Sequence, residues 1–195
     1  METSSEGRFL TVANIITMLR IALIPLILYF LVTNREMLSF FMFVVAISSD
    51  LLDGYVARTF NQVTYLGMVL DPLADKLIQV TVLTTLACVG YSAWVFAVLL
   101  IVKEGLTILV AIVIYIKYKM IVKANETGKI ASFVVNIGIS LSFFHTSMRE
   151  GLISLDFIAL SIGILLTYTA MIIYMINITK ALKGERIEFI SKLDN

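Results

Sequence analysis

One cysteine, Cys88, and one histidine, His145, make up the whole thiol and imidazole complement of the chain. A lone cysteine cannot close an intrachain disulfide, and one Cys with one His falls short of the ligand set of a structural zinc site. Thiol and zinc chemistry are therefore not expected, and both residues read as packing or interfacial side chains. Charge is also scarce: Asp, Glu, Lys and Arg make up 15% of the residues, against about 25% in soluble domains. The basic residues are spread over several connections rather than gathered on one face, which argues against a nucleic-acid partner. Period-two alternation is missing, which argues against a β-barrel. With two prolines and ten glycines, no repeat and no Pro/Gly/Ser linker, the economical reading is one domain over residues 1–195, with 1–8 as a polar tail.

What the chain has in excess is apolar side chain. Hydrophobic residues are 59% of the total and the mean hydropathy is +0.97, more than a globular domain of this length can bury. Long apolar runs cover about 9–33, 37–57, 72–90, 93–116, 130–147 and 152–179. Crossing a hydrocarbon core of ~30 Å takes about 20 residues, and lipid offers backbone groups no water to bond, so such runs are expected to be helices. The predicted fold is all-α: a polytopic membrane protein of six transmembrane helices. Arg8 before the first run resembles a signal peptide, but no small-residue cleavage site follows and Asn14, Thr17 and Arg20 interrupt the run.

Six spans put both termini on one side of the membrane. That side carries Arg8, Arg58, Lys117, Lys119, Lys123, Lys129, Lys180, Lys183, Arg186 and Lys192, whereas the opposite loops hold only Arg35 and Arg149. The excess of Lys and Arg in cytoplasmic loops predicts cytoplasmic termini and a multi-pass cell-membrane location. The longer connections at about 58–66 and 117–129 then face the cytoplasm, where functional loops are expected.

Acidic side chains at membrane depth cost about 2.5–3.5 kcal/mol each on insertion scales, so they need partners or a wet cavity. Asp50 and Asp53 fall in the last turns of the second predicted span, and Asp71 and Asp75 in the first turns of the third, with Lys76 alongside. The i, i+3 and i, i+4 spacings put each pair on one helix face. Gly54 and Ala57 continue the first stripe and Gly67 the second, leaving room for close approach. Four converging carboxylates need cations, and oxygen-only ligands select hard ions such as Mg²⁺ or Mn²⁺. Taken singly, Asp71 before Pro72 also reads as a helix N-cap and Asp50 as a residue facing headgroups. Intramembrane carboxylates also mark ion-coupled transporters, although these four cluster at one level and the two halves show no inverted repeat.

Asp50, Asp53, Gly54, Ala57, Arg58, Gly67, Asp71 and Asp75 together fit D-x2-D-G-x2-A-R-x8-G-x3-D-x3-D at every fixed position. This string resembles the signature of the CDP-alcohol phosphatidyltransferases. The resemblance implies that Asp50, Asp53, Asp71 and Asp75 coordinate two divalent cations, Mg²⁺ or Mn²⁺, astride the pyrophosphate of a CDP-linked lipid such as CDP-diacylglycerol. It implies Asp75 as the base that takes the proton of an acceptor hydroxyl. Gly54, Ala57, Arg58 and Gly67 would accommodate the CDP moiety, with Asn14, Thr17 and Arg20 of the first span and Thr64 of the inner loop beside it. The product would be a phosphodiester lipid, and CMP would leave. A homodimer among membrane lipids goes with the family; a scaffold that has kept the fold without turnover is a further possibility.

The acceptor alcohol has to be recognised outside the shared signature. Lys103 and Glu104, inside the fourth span, resemble the Arg-Glu pair of phosphatidylglycerophosphate synthases, whose acceptor is glycerol 3-phosphate. Lys103 stands where that branch has Arg, and Val110 where a further basic residue is expected. The stretch VKANETGKIAS, with Lys123 and Lys129, is similar to a loop of the same enzymes. Lys103, Lys123 and Lys129 are thus the candidate ligands of an acceptor phosphate, with a structural ion pair for Lys103 and Glu104, and orientation signals for the other two, as the plainer readings. Phosphatidylglycerol, serine and inositol phosphate are the alternative acceptors.

Overall fold

The computed structural model describes residues 12–59, 65–118, 120–122, 126–144, 155–182 and 190–192. They form six α-helices: α1 (Val12–Val32), α2 (Glu36–Thr59), α3 (Tyr65–Cys88), α4 (Trp94–Tyr118), α5 (Glu126–Ser142) and α6 (Leu155–Leu182). Each coincides with one of the apolar runs. The one departure from an all-helical chain among the described residues is a small antiparallel ribbon of β1 (Met120–Val122) and β2 (Ile190–Lys192), in which Ile121 faces Ser191. Two compact units are distinguished, Met1–Tyr91 with α1 to α3 and Ser92–Asn195 with the remaining elements.

In the first unit, α1 packs extensively on α2 and on α3, whereas α2 and α3 touch at few residues. Two helix ends are closed by the same device. At the end of α1 the Arg35 amide donates to the Phe30 carbonyl (2.8 Å) and the Asn34 amide to that of Leu31 (3.2 Å), with Asn34 at φ 57°. At the end of α3 the Tyr91 amide donates to Leu86 (2.8 Å) and the Gly90 amide to Ala87 (3.2 Å), with Gly90 at φ 83°. This left-handed cap satisfies carbonyls that would otherwise be orphaned. The short α1–α2 turn makes these helices antiparallel, and the Ser39 hydroxyl, buried, donates to the Ile27 carbonyl (2.8 Å) across them.

The second unit is dominated by α5 against α6, with α6 also contacting α4. Gly138 and Gly163 explain the close approach of α5 and α6. A Cβ at Gly138 would lie 2.8 Å from Leu160 Cδ2, and one at Gly163 would lie 2.9 Å from Val135 Cγ2 and 3.1 Å from the Val135 backbone nitrogen. Tyr168 donates its hydroxyl to the Leu99 carbonyl of α4 (3.1 Å).

Helix surfaces carry many uncovered large apolar side chains, among them Leu19, Phe41, Ile116, Phe133 and Leu165, the last two 66% exposed. Surfaces of this kind suit a lipid solvent. Among the described residues, α4 and the Leu155–Lys180 part of α6 are long and apolar enough to cross a membrane, while α1 and α2 contribute the shorter apolar stretches Thr17–Val32 and Glu36–Ser49.

Candidate active site

The aspartates sit deeper in their helices than apolar run lengths indicate. α2 continues to Thr59, so Asp53 lies six residues and Asp50 nine residues from its end; α3 begins at Tyr65, so Asp71 lies six and Asp75 ten residues in. Hydropathy marks where lipid begins, not where a helix does, and the polar segments flanking both runs keep helical backbone. Asp71 is therefore no N-cap: α3 runs through it and through Pro72.

At 1.5 Å per residue, Asp53 and Asp71 each lie about 9 Å from the C-terminal end of α2 and the N-terminal end of α3, and Asp50 and Asp75 about 14–15 Å. The pairs match in depth across two consecutive helices that run in opposite directions. α1 supplies Thr17 and Arg20, five and eight residues from Val12, at a comparable level. Thr17 (0% exposed) and Arg20 (1%) are fully buried, although a guanidinium at such depth is costly without charge-compensating surroundings. α1 packs on both aspartate-bearing helices and so joins the two elements that carry the signature.

The side chains of Asn14, Asp50, Asp53, Ala57, Arg58 and Asp71 lie outside the described residues, as do all of Thr64 and Lys123; the backbones of Gly54 and Gly67 belong to α2 and α3. Asp75 is half-buried, with its neighbour Lys76, and neither is without an interaction partner. Among the described residues no group of three or more His, Cys, Asp or Glu side chains comes together. The fit of the signature to metal rests on its donor set: four carboxylates in two depth-matched pairs, all oxygen, suit hard divalent ions.

In the second unit, Lys103 Nζ donates to Glu104 Oε1 at 2.9 Å, and the two residues are only 7% and 5% exposed. The neighbouring ion pair is thus realised, and it is buried. Lys129, in the first turn of α5, is exposed. One polar residue escaped the sequence reading: Gln79 of α3, 1% exposed, continues the Asp71–Asp75 stripe by one more helical turn. A polar residue recurring four positions on within an apolar run was the signal that marked it.

A sequence profile of the CDP-alcohol phosphatidyltransferases matches residues 10–180. A CDP-diacylglycerol–glycerol-3-phosphate 3-phosphatidyltransferase of Bacillus subtilis is 29% identical over 174 residues, covering 81% of this chain and 89% of the relative. A Mycobacterium tuberculosis protein provisionally named a phosphatidylglycerophosphate synthase is 27% identical over 192 residues, covering 95% and 90%. Another from the same organism, provisionally named a cardiolipin synthase, is 30% identical over 136 residues, covering 69% and 65%. With the profile running through both units and through all six helices, the chain belongs to the CDP-alcohol phosphatidyltransferase family.

Proposed function

We propose that this chain transfers the phosphatidyl group of CDP-diacylglycerol to the hydroxyl of glycerol 3-phosphate and releases CMP. The observation that carries the reading is the complete eight-residue signature, its four aspartates paired in depth on α2 and α3. The relatives named for glycerol 3-phosphate support that acceptor. The relative provisionally named a cardiolipin synthase favours phosphatidylglycerol as the second reading. Family membership leaves no role for the ion-coupled transporter.

Asp50, Asp53, Asp71 and Asp75 would hold two divalent cations, Mg²⁺ or Mn²⁺. Bound there, such ions supply charge neutralisation at the pyrophosphate and at the departing CMP. The residues of the chain do the rest. Asp75 accepts the proton of the acceptor hydroxyl, whose oxygen forms a bond to the lipid-side phosphorus as the bond from that phosphorus to CMP breaks. Gly54, Ala57 and Gly67 leave space for the nucleotide, while Asn14, Thr17, Arg20, Arg58 and Thr64 supply donors to its phosphates and base. Lys103, Lys123 and Lys129 are assigned to the acceptor phosphate. Lys103 meets that role already paired with Glu104, so the pair would orient the ammonium rather than leave it a mobile point charge. Holding acceptor and lipid in one geometry removes much of the entropic barrier.

The same reading takes the six helices as six spans of one membrane domain over 1–195, with both termini and the site at the cytoplasmic face, and the protein as a homodimer. The test is CMP release from CDP-diacylglycerol with glycerol 3-phosphate, phosphatidylglycerol, serine or inositol phosphate supplied separately. Release with glycerol 3-phosphate alone supports the acceptor assignment. Release only with another acceptor removes it.

A further inference from the structure

Tyr168 of α6 donates its hydroxyl to the Leu99 carbonyl of α4 at 3.1 Å. In an α-helix that carbonyl also accepts from the amide four residues on, which here is the amide of Lys103. The bond from α6 therefore falls on the turn of α4 that delivers Lys103. On the other side of the same residue, the Thr107 hydroxyl donates to the Lys103 carbonyl at 2.9 Å from within α4. α6 meets α4 far less extensively than it meets α5, so each tie between α4 and α6 weighs heavily on how α4 is set. Phe96 against Phe157, edge-on with ring centroids 5.0 Å apart, holds α4 near its start. Tyr168 holds it one turn before the ion pair.

We infer that Tyr168 is a positioning residue for Lys103: its hydroxyl, fixed on the Leu99 carbonyl, sets the rotation of α4 about its axis and with it the place of the Lys103 ammonium at the acceptor phosphate. The inference rests on the assignment of Lys103 to that phosphate. An exposed lysine could absorb a turn of its helix by changing rotamer. Lys103 cannot, because it is 7% exposed and its Nζ is held by Glu104 Oε1 at 2.9 Å, and packed side chains have little freedom to compensate. A small displacement of the backbone at Leu99 is then passed to the ammonium, and such displacements weaken the positioning of a substrate. The competing use of the bond is purely structural, as a partner for a half-buried tyrosine hydroxyl in apolar surroundings.

CMP release by the full-length protein in detergent with Mn²⁺ is measured for wild type, Tyr168→Phe, the double variant Lys103→Met, Glu104→Leu, and the three substitutions combined, varying glycerol 3-phosphate and CDP-diacylglycerol in turn. Phe keeps the ring and its packing and removes only the hydroxyl, so folding is not at stake. The inference expects Tyr168→Phe to raise the KM for glycerol 3-phosphate about threefold or more, the scale of one hydrogen bond, with the KM for CDP-diacylglycerol unchanged. On the double-variant background, where the KM for glycerol 3-phosphate is already raised, Tyr168→Phe adds nothing, because substitutions acting through one group are not additive. A wild-type KM for glycerol 3-phosphate in Tyr168→Phe, an equal rise for both substrates, or a rise that persists in full in the combined variant overturns the positioning role in favour of a structural anchor. A wild-type KM for glycerol 3-phosphate in the double variant instead removes Lys103 from the acceptor site, and absence of CMP release by wild type with glycerol 3-phosphate removes that acceptor; either takes the inference with it.

Discussion

The Tyr91 hydroxyl donates to Glu36 Oε1, joining the turn after α3 to the first residue of α2 across 55 positions of sequence. The bond closes the end of the first unit opposite the aspartates. It also raises the Tyr91 pKa above its ordinary 10.0, first through the hydrogen bond, then through burial and through the Glu36 charge. A raised folded-state pKa stabilises the protein fully below the unfolded value, and that stabilisation is lost as pH climbs through the folded one.

Thermal unfolding of wild type should therefore fall more steeply above about pH 10 than that of Tyr91→Phe. Below that pH the variant should be less stable by no more than about 1 kcal/mol, because the pair is only partly buried. Equal slopes in wild type and variant above that pH would remove the assignment.

Gly163 and Gly105 should respond in opposite ways to one added methyl. At Gly163 the Cβ meets the Val135 side chain and backbone, so α5 or α6 must shift, at a cost of about 1–3 kcal/mol. At Gly105 of α4 nothing lies within 4 Å, and Ala should be neutral or stabilising by up to about 1 kcal/mol through helix propensity. Unfolding temperatures of the two Ala variants in the same micelle check both directions.

The Lys103–Glu104 pair allows structure and acceptor binding to be separated. Lys103→Met alone leaves a buried carboxylate without its cation, which costs about 3–5 kcal/mol, whereas the double variant Lys103→Met, Glu104→Leu should recover most of that loss. If Lys103 also binds the acceptor phosphate, the recovered double variant still has a raised KM for glycerol 3-phosphate and an unchanged KM for CDP-diacylglycerol. A wild-type KM for both substrates would leave the pair a structural one.

Six helices were legible because each contains a long apolar run, and the signature was legible because its spacing repeats on helix faces. The position of the aspartates within their helices was not: the residues around Thr59 and Tyr65 continue their helices without adding hydrophobicity, so the end of α2 and the start of α3 lay beyond the apolar runs. Asp71 before Pro72 reads locally as a helix start, yet α3 has already made almost two turns there. Three residues of MIV and three of ISK are too short to show a strand period, so the ribbon had no signal. Ser39 bonds a carbonyl on another helix, a relationship that only packing specifies.

The most direct measurement is CMP release from CDP-diacylglycerol and glycerol 3-phosphate by purified wild type and Asp75→Asn, each with Mn²⁺ and with excess EDTA. Wild type should release CMP with Mn²⁺ and lose that activity in EDTA, and Asp75→Asn, folded to the same unfolding temperature, should be slower by at least a hundredfold, the scale of a lost general base. Wild-type turnover by the variant, or turnover undiminished by EDTA, would contradict a reaction carried by the aspartates of α2 and α3.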